Sequence, residues 1–276
     1  GKIVFQRREK EPNFILSVFV LSIRMFCVLL FICCAMGIGV VLGVVRVYWE
    51  TAPALDVAKI ENQDQTSFIY DANGNLITDY AGVENRVWAS LDEIPVHLQN
   101  AFIAMEDQRF RIHNGVDYKR LFGALINNLR NEDVQGGSTI TQQLIKNRIL
   151  SPEKTYRRKV QEAYLAMQLE KYYTKNQILE SYLNTIHLGE SNYGVKVAAK
   201  DYFGKDLDEL SLRECATLAS ITANPYLYNP RKNYYDRNTP QKTDERTNLV
   251  LLKMYESGFI TKSEYYAALD EKISIK

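Results

Sequence analysis

A long apolar run over residues 14–45 constrains the fold of this chain more than any other feature. Arg24 is the one charged residue in that run, and residues 25–45 contain none. A run of about 20 apolar residues is long enough to cross a bilayer as a helix. We therefore predict a transmembrane helix over residues 14–45, with Arg24 reaching toward the headgroups.

The charges around this run predict its orientation. Four basic residues lie in the short tail before it, residues 1–13, whereas basic and acidic residues are mixed after it. The positive-inside rule then keeps the tail in the cytoplasm and sends the rest of the chain outside. A cleaved signal peptide is the alternative, because residues 52–54 (APA) resemble a cleavage site. The run is longer than the apolar part of a signal peptide, which favours a single-pass anchor.

The remaining length and composition fit one folded domain. The chain has 276 residues, which leaves room for a single domain of about 200 residues after one membrane helix. Its net charge of +1 argues against a nucleic-acid partner. Cys215 is the one cysteine beyond the apolar run, so no disulfide can form within the outer part. The three histidines lack metal-ligand spacing, and we predict no metal site built by the protein.

The outer part is predicted to be mainly α-helical, with a short hairpin at its start. Residues 46–65 show no apolar period and are interpreted as a stalk, and residues 66–276 are interpreted as one domain. Asn73-Gly74 predicts the turn of a hairpin over residues 67–77. Helices are predicted where apolar residues recur three and four apart, around residues 98–105, 121–129, 160–167, 212–223, 248–257 and 262–271. Ser211 and Glu214 form a capping box at the start of the fourth.

Glu106 is the first candidate for chemistry. Residues 106–115 read EDQRFRIHNG, so Glu106 lies at the C-terminal end of the first of these helices. The negative end of a helix dipole makes a nearby carboxylate more ready to accept a proton, as a general base must. The alternative is a surface Glu-Asp pair beside Arg109 and Arg111.

A segment rich in hydroxyls and amides follows, and then a basic run. Residues 137–147 read GSTITQQLIKN, a set of donors suited to sugar and phosphate oxygens. Residues 146–159 hold six cations against one acid, which indicates an anionic partner such as a pyrophosphate. The alternatives are a solvated basic face or contact with anionic lipid. Glu162 is predicted to be partly enclosed on a helix, where an ion pair with Arg158 would be a purely structural explanation.

Five segments, in order along the chain, carry a resemblance to a known family. They are EDQRFRIHNG at 106–115, GSTITQQLIKN at 137–147, RKVQE at 158–162, ILESYLN at 178–184, and NPYLYNP at 224–230 with RTNLVL at 246–251. With these segments the chain resembles the peptidoglycan glycosyltransferases of family 51. Such enzymes occur alone and as the N-terminal half of class A penicillin-binding proteins. The resemblance extends from about residue 67 to residue 276.

The resemblance implies a fold and an activity. The fold would be a lysozyme-like, mainly α-helical domain with a small membrane-dipping jaw between the first two motifs, where Leu121, Phe122 and Leu125 would face lipid. The activity would be polymerisation of lipid II into β-1,4-linked glycan, with inversion and release of undecaprenyl pyrophosphate. Implied partners are lipid II, the growing lipid-linked glycan, the bacterial cell membrane, moenomycin-type inhibitors and other cell-wall synthesis proteins. A divalent cation, Mg²⁺ or Mn²⁺, is compatible with the reaction but not required by the sequence.

The roles of individual residues follow from the matched motifs. Glu106 would be the general base, and Glu162 would assist at the donor by orienting the pyrophosphate or a bound cation. Ten residues are predicted to bind substrate: Asp107, Ser138, Thr139, Gln142, Gln143, Lys146, Asn147, Lys154, Arg158 and Lys159. Many family members carry Arg where Lys154 stands, and Lys cannot make the same bidentate phosphate contact. We therefore expect a change in substrate affinity at that position.

The extent of the protein and its reaction leave alternatives. The chain lacks the SxxK, SxN and KTG set of a transpeptidase, which fits a monofunctional enzyme or a part of a bifunctional one. Residues 263–269 resemble the class A segment that leads toward a transpeptidase, so we expect the second. The rival activities are a lytic transglycosylase or muramidase that cleaves glycan, and a non-enzymatic anchor that binds lipid II. The basic run argues against the first rival, and the presence of both Glu106 and Glu162 argues against the second.

Overall fold

The computed structural model of the chain describes residues 14–61, 67–70, 76–80, 87–129, 136–150, 153 and 155–276. The described part is mainly helical, as predicted. It divides into two compact units, with the boundary between Thr51 and Ala52.

Helix α1 (Phe14–Glu50) makes up the described part of the first unit. None of its residues is buried, and among the described residues it is the one helix long and apolar enough to cross a membrane. Its length and composition fit a membrane anchor. The helix continues beyond residue 45, where an ion pair between Arg46 and Glu50 at 2.8 Å spans its last turn. The first five residues assigned to the stalk are therefore helical.

The second unit begins with the rest of the predicted stalk, which packs against the domain. Helix α2 (Val57–Glu61) places Ile60 in the core with 1% of its surface exposed. Leu55 packs against the same core. This part of the predicted stalk therefore packs on the domain through Leu55 and Ile60, which are apolar residues without a period in the sequence but find partners in the fold.

The predicted hairpin is present. Strands β1 (Ser67–Tyr70) and β2 (Leu76–Tyr80) pair antiparallel, with a register irregularity between Ile69 and Tyr70. The Asn73-Gly74 turn lies outside the described residues.

The body of the second unit is built from helices α3 to α11. They are α3 (Val96–Glu106), α4 (Tyr118–Leu129), α5 (Ile140–Arg148), α6 (Tyr156–Tyr172), α7 (Lys175–Thr185), α8 (Val195–Phe203), α9 (Leu212–Ile221), α10 (Pro240–Glu256) and α11 (Lys262–Asp270). Helices α3, α9 and α10 pack on one another, and α5 packs on both α6 and α7. An edge-to-face contact between Phe102 of α3 and Tyr182 of α7, with ring centroids 6.2 Å apart, joins the two groups.

The predicted helices are found, with shifts at some ends. The Ser211–Glu214 capping box is present at the start of α9. Helix α10 begins at Pro240, well before the predicted start near residue 248, because proline is favoured in the first turn, where its missing N–H is no loss. In α6 the buried apolar residues are Leu165, Ala166 and Leu169, rather than the stripe starting at Val160.

Side chains of α7 fix the segment that leads into α3. The Glu180 carboxylate accepts hydrogen bonds from Trp88 Nε1 at 3.1 Å and from the Leu91 amide at 2.8 Å. The Asn184 side chain pairs with both backbone groups of Ala89, each at 2.8 Å. These bonds set the position of α3 and therefore of the residue at its far end.

Gly194 precedes α8 in a conformation that favours glycine. Its φ is +88°, and a Cβ on this residue would lie 2.7 Å from the backbone oxygen of Asn184. Gly194 cannot easily move away from Asn184, because its own backbone amide donates a hydrogen bond to the Ile186 oxygen at 2.8 Å. A side chain here would therefore strain the end of α7 as well as its own backbone.

We predict that Gly194→Ala destabilises the domain more than Gly258→Ala does. Gly258 also has a positive φ, +72°, but a Cβ there would meet nothing within 4 Å. Gly258→Ala, the control, should therefore lower the free energy of unfolding only by the cost of the positive φ, about 1–2 kcal/mol. Gly194→Ala adds the clash with Asn184 to that cost. Thermal melts of both variants measure the difference, and equal losses of stability would contradict the proposed contact with Asn184.

Candidate active site

Glu106 is the last residue of α3, and its half-buried carboxylate is held at both oxygens. Gln143 Nε2 donates to Oε2 at 2.7 Å, and Thr222 Oγ1 donates to Oε1 at 2.5 Å. Gln143 belongs to α5 and Thr222 directly follows α9, so three separate elements meet here. Both partners are neutral, so they orient the carboxylate without cancelling its charge.

Tyr182 of α7 fixes the amide of Gln143. Its hydroxyl donates to Gln143 Oε1 at 3.2 Å, which turns the amide nitrogen toward Glu106. Burial, together with the carboxylates of Glu106 and Asp107, raises the pKa of Tyr182 well above its ordinary value. The phenol therefore keeps its proton at neutral pH and remains a donor.

Asp107 was predicted to bind substrate, and that role stays a prediction. Its side chain is fully buried. Its Oδ2 accepts hydrogen bonds from His113 Nε2 at 2.8 Å and from the Ile140 amide at 3.0 Å. Because Ile140 is the first residue of α5, Asp107 joins the end of α3 to the start of α5.

Thr139 and Gln142 use their side chains at the start of α5. They form a capping box, in which the Thr139 hydroxyl accepts from the Gln142 amide and the Gln142 side chain accepts from the Thr139 amide. The Thr139 hydroxyl in turn donates to the oxygen of Gly115 at 2.6 Å. Both residues are buried, and their polar atoms are used to start α5. That they also contact substrate stays a prediction.

Glu162 lies in a second polar centre, on α6. It is 1% exposed, as the prediction of an enclosed residue requires. Its Oε1 pairs with the Lys159 ammonium group, which also donates to Ser138 Oγ at 2.6 Å. The ion pair is thus made by Lys159, not by Arg158 as the structural alternative assumed. Glu162 Oε2 is buried and has no hydrogen-bond partner among the described residues.

The other predicted substrate residues differ in accessibility. Lys146 and Asn147 are exposed in the last turn of α5. Arg158 is half-buried, and its Nε has no hydrogen-bond partner in the described part of the chain. Lys154 lies outside the described residues. The structure therefore leaves Lys146, Asn147, Arg158 and Lys159 available to a ligand, together with Ser138.

The loop after α3 connects the first three motifs. Gly115 has a φ of +89°, and a Cβ on it would lie 2.7 Å from the backbone of Ala166 in α6. Its carbonyl accepts the bond from Thr139 described above. The first motif therefore contacts the helix of the third motif and the N-cap of the second motif's helix. Through Gly115, the parts of the fold that carry Glu106 and Glu162 are in direct contact.

Three residues that contact this site were not predicted. Thr222 donates to the Glu106 carboxylate directly, and Tyr182 acts on it through Gln143. The Arg120 guanidinium of α4 donates to the Glu106 backbone oxygen. Tyr182 lies in the fourth motif, which could have identified it as a site residue. No local sequence pattern indicates Thr222 or Arg120. Asp117 fixes the start of α4, where Oδ1 accepts from the Arg120 amide at 3.0 Å.

The arrangement provides a proton acceptor and a cationic anion site. Glu106 is a partly accessible carboxylate oriented by neutral donors, and the side chain of Lys159 is 43% exposed. Within the ranges that the structure describes, no three His, Cys, Asp or Glu side chains are grouped to hold a metal ion.

Comparisons with known proteins place this site in a family. The family model described as transglycosylase matches residues 73–255. The chain is 44% identical over 243 residues to penicillin-binding protein 1A/1B of Bacillus subtilis, covering 87% of this chain and 26% of that protein. It is 42% identical over 236 residues to penicillin-binding protein 1A of Clostridium perfringens, covering 84% of this chain and 34% of that protein. The chain thus spans about a third or less of the length of these relatives.

A solved structure also matches. The 2.6 Å crystal structure of penicillin-binding protein 1A from Haemophilus influenzae is 27% identical, with a TM-score of 0.43, and the match covers 78% of this chain and 22% of that one.

The matched region contains all five motif segments, both glutamate centres and more than half of the chain. The chain therefore belongs to the transglycosylase family, the glycosyltransferases of family 51.

Proposed function

We propose that the chain is a membrane-anchored peptidoglycan glycosyltransferase that polymerises lipid II, and that it is the glycosyltransferase part of a class A penicillin-binding protein. The observation that carries the proposal is the Glu106 carboxylate, held between Gln143 and Thr222 at the end of α3. A carboxylate oriented by neutral donors can take a proton from a sugar hydroxyl. Family membership supplies the class of substrate.

In the proposed reaction, the 4-hydroxyl of an acceptor GlcNAc attacks C1 of the donor MurNAc. Glu106 takes the proton of that hydroxyl as the new C–O bond forms. The bond between C1 and the pyrophosphate oxygen breaks, and undecaprenyl pyrophosphate leaves with the bonding electrons. The entering and leaving oxygens lie on opposite faces of the sugar, so the configuration at C1 inverts.

The second polar centre would bind the leaving group. Lys159 is fixed by Glu162 and Ser138, so its ammonium group is held in place on a side chain that is partly exposed. Lys146 and Arg158 add positive charge from α5 and α6. Cations suited to phosphate oxygens stabilise the negative charge that develops on the pyrophosphate as the bond breaks.

A divalent cation, Mg²⁺ or Mn²⁺, remains part of the proposal at this centre. The buried, unpartnered Oε2 of Glu162 is the protein oxygen that fits it, and the pyrophosphate would supply further oxygen ligands. Bound there, the cation would neutralise phosphate charge. Lys159 already pairs with Glu162, so the protein holds positive charge at this place by itself.

The membrane topology belongs to the same proposal. The tail at residues 1–13 would lie in the cytoplasm, and the catalytic domain would lie outside the bacterial cell membrane, where lipid II is presented. In α4, Tyr118, Leu121 and Phe122 are all exposed, which supports contact between this helix and lipid. A moenomycin-type inhibitor and other cell-wall synthesis proteins would be partners by family membership.

One assay separates this function from its rivals. Purified protein is incubated either with lipid II in detergent or with preformed glycan strands. A glycosyltransferase lengthens the first and leaves the second intact, a lytic transglycosylase or muramidase shortens the second, and a binding anchor changes neither. Shortened glycan without polymer from lipid II would overturn the proposal.

Glu106→Gln is expected to abolish polymerisation while leaving the fold intact. The amide keeps the size of the side chain but cannot accept the proton, so the rate should fall by at least about 100-fold. Polymer is measured by gel analysis of labelled lipid II, and a thermal melt checks the fold. Glu256→Gln, at an exposed position at the end of α10, is the matched control. Near wild-type polymer from Glu106→Gln would remove this residue as the base.

Lys146→Ala is expected to weaken binding of a lipid that carries a pyrophosphate. Loss of one exposed cation near the anion should raise the dissociation constant about 10-fold, with a smaller change at high salt. Binding is measured with undecaprenyl pyrophosphate in detergent micelles. Lys242→Ala, an equally exposed lysine in the first turn of α10, controls for a general charge effect. Equal affinities for wild type and Lys146→Ala would move the donor site elsewhere.

A further inference from the structure

The hydroxyl of Thr222 lies between two acceptors. Its Oγ1 is 2.5 Å from Glu106 Oε1 and 2.8 Å from the backbone oxygen of Ala219. A hydroxyl has one proton to donate and two lone pairs that accept. Thr222 can therefore donate to only one of these two oxygens at a time.

The two oxygens of Glu106 have partners of different kinds. Gln143 presents its NH₂ group, which only donates, and Tyr182 holds the amide in that orientation. This contact suits an unprotonated Oε2 alone. Thr222 is a hydroxyl, so it suits Oε1 whether that oxygen accepts a hydrogen bond or carries a proton.

We propose that Thr222 is a positioning residue that holds the Glu106 carboxyl group in both of its protonation states. In the ionised state, the Thr222 hydroxyl donates to Oε1. After Glu106 has taken the proton of the acceptor hydroxyl on Oε1, the new Oε1–H bond turns to donate to Thr222 Oγ1, and the Thr222 proton turns to the Ala219 oxygen. No atom is gained or lost by Thr222, since its O–H bond only rotates. The proposal rests on the proposed role of Glu106 as general base.

The geometry also favours Oε1 as the oxygen that carries the proton. A proton on Oε2 would face the NH₂ group of Gln143, where no acceptor is available. A proton on Oε1 has Thr222 Oγ1 within hydrogen-bond distance. Gln143 and Thr222 together therefore hold one oxygen as an acceptor and leave the other able to change state.

A purely structural role for Thr222 would look different. Ser220, two residues earlier, donates to the Thr217 oxygen at 2.7 Å and is fully buried. Ser220 thus donates to the oxygen of the third residue before it, as Thr222 does to Ala219. Among the described residues, no hydrogen bond joins the Ser220 side chain to Glu106. A helix end needs no carboxylate partner for such a bond, so the short contact with Glu106 calls for its own explanation.

Thr222→Val tests the proposal, with the full chain and lipid II in detergent. Valine keeps the shape of threonine and removes the hydroxyl. The expected result is a fall in kcat of about 10- to 100-fold, the loss of one hydrogen bond to a charged group, with KM changed less than about 2-fold. Thr222→Ser restores the hydroxyl and should recover most of kcat. Ser220→Ala, the matched control two residues earlier in α9, should leave kcat within about 2-fold of wild type.

Each outcome decides a separate question. Unchanged kcat in Thr222→Val, no recovery in Thr222→Ser, or an equal loss in Ser220→Ala would overturn the proposal. If Thr222→Val melts below the assay temperature, Thr222→Ala gives the same comparison without added methyl contacts. Wild type and Glu106→Gln run in parallel: absence of polymer from wild type overturns the proposed function itself. Polymer from wild type and none from Glu106→Gln leaves that function standing and tests Thr222 alone.

Discussion

The buried carboxylate of Asp107 is the interaction on which the rest of the site depends. It ends α3 and accepts the first amide of α5, at Ile140, as well as His113 Nε2. Amides at a helix N-terminus lack partners within the helix, and the helix dipole favours a negative charge there. Glu106 directly precedes Asp107, and Gln143 lies one turn into α5. One carboxylate therefore sets the distance between the proposed base and the amide that orients it.

The loop after Asp107 extends this support to the second glutamate. Gly115 packs against the backbone of α6 and accepts a hydrogen bond from Thr139, so the start of α5 and the helix that carries Glu162 share one contact. Residues 138–143 then touch both centres, because Ser138 meets Lys159 and Gln143 meets Glu106. Movement of this segment would change both centres at once. Proton acceptance and leaving-group binding would therefore depend on the same six residues.

The sequence predicted the helices better than the contacts of the site. Apolar spacing and the Ser211–Glu214 capping box are local signals, and the helices around residues 98–105 and 212–223 are found close to where they were predicted. Glu106 and Glu162 were identified by their motifs, and the enclosure of Glu162 followed from the apolar residues around it. Thr222 was not found, because its bond to Glu106 joins residues 116 positions apart and no periodicity or motif spans that distance.

The polar residues at the start of α5 have a structural use that the sequence interpretation did not consider. Thr139 and Gln142 were assigned to substrate because hydroxyls and amides bind sugars and phosphates, yet a Thr-x-x-Gln pattern at a helix start also satisfies that helix's own amides. The helix requires these bonds whether or not a ligand is present, so the capping role takes precedence for buried side chains. Polar groups that the backbone does not use, such as Glu162 Oε2 and the side chains of Lys146 and Asn147, are then the ones left for substrate. Accounting for backbone hydrogen bonds first would have identified the capping role of Thr139 and Gln142.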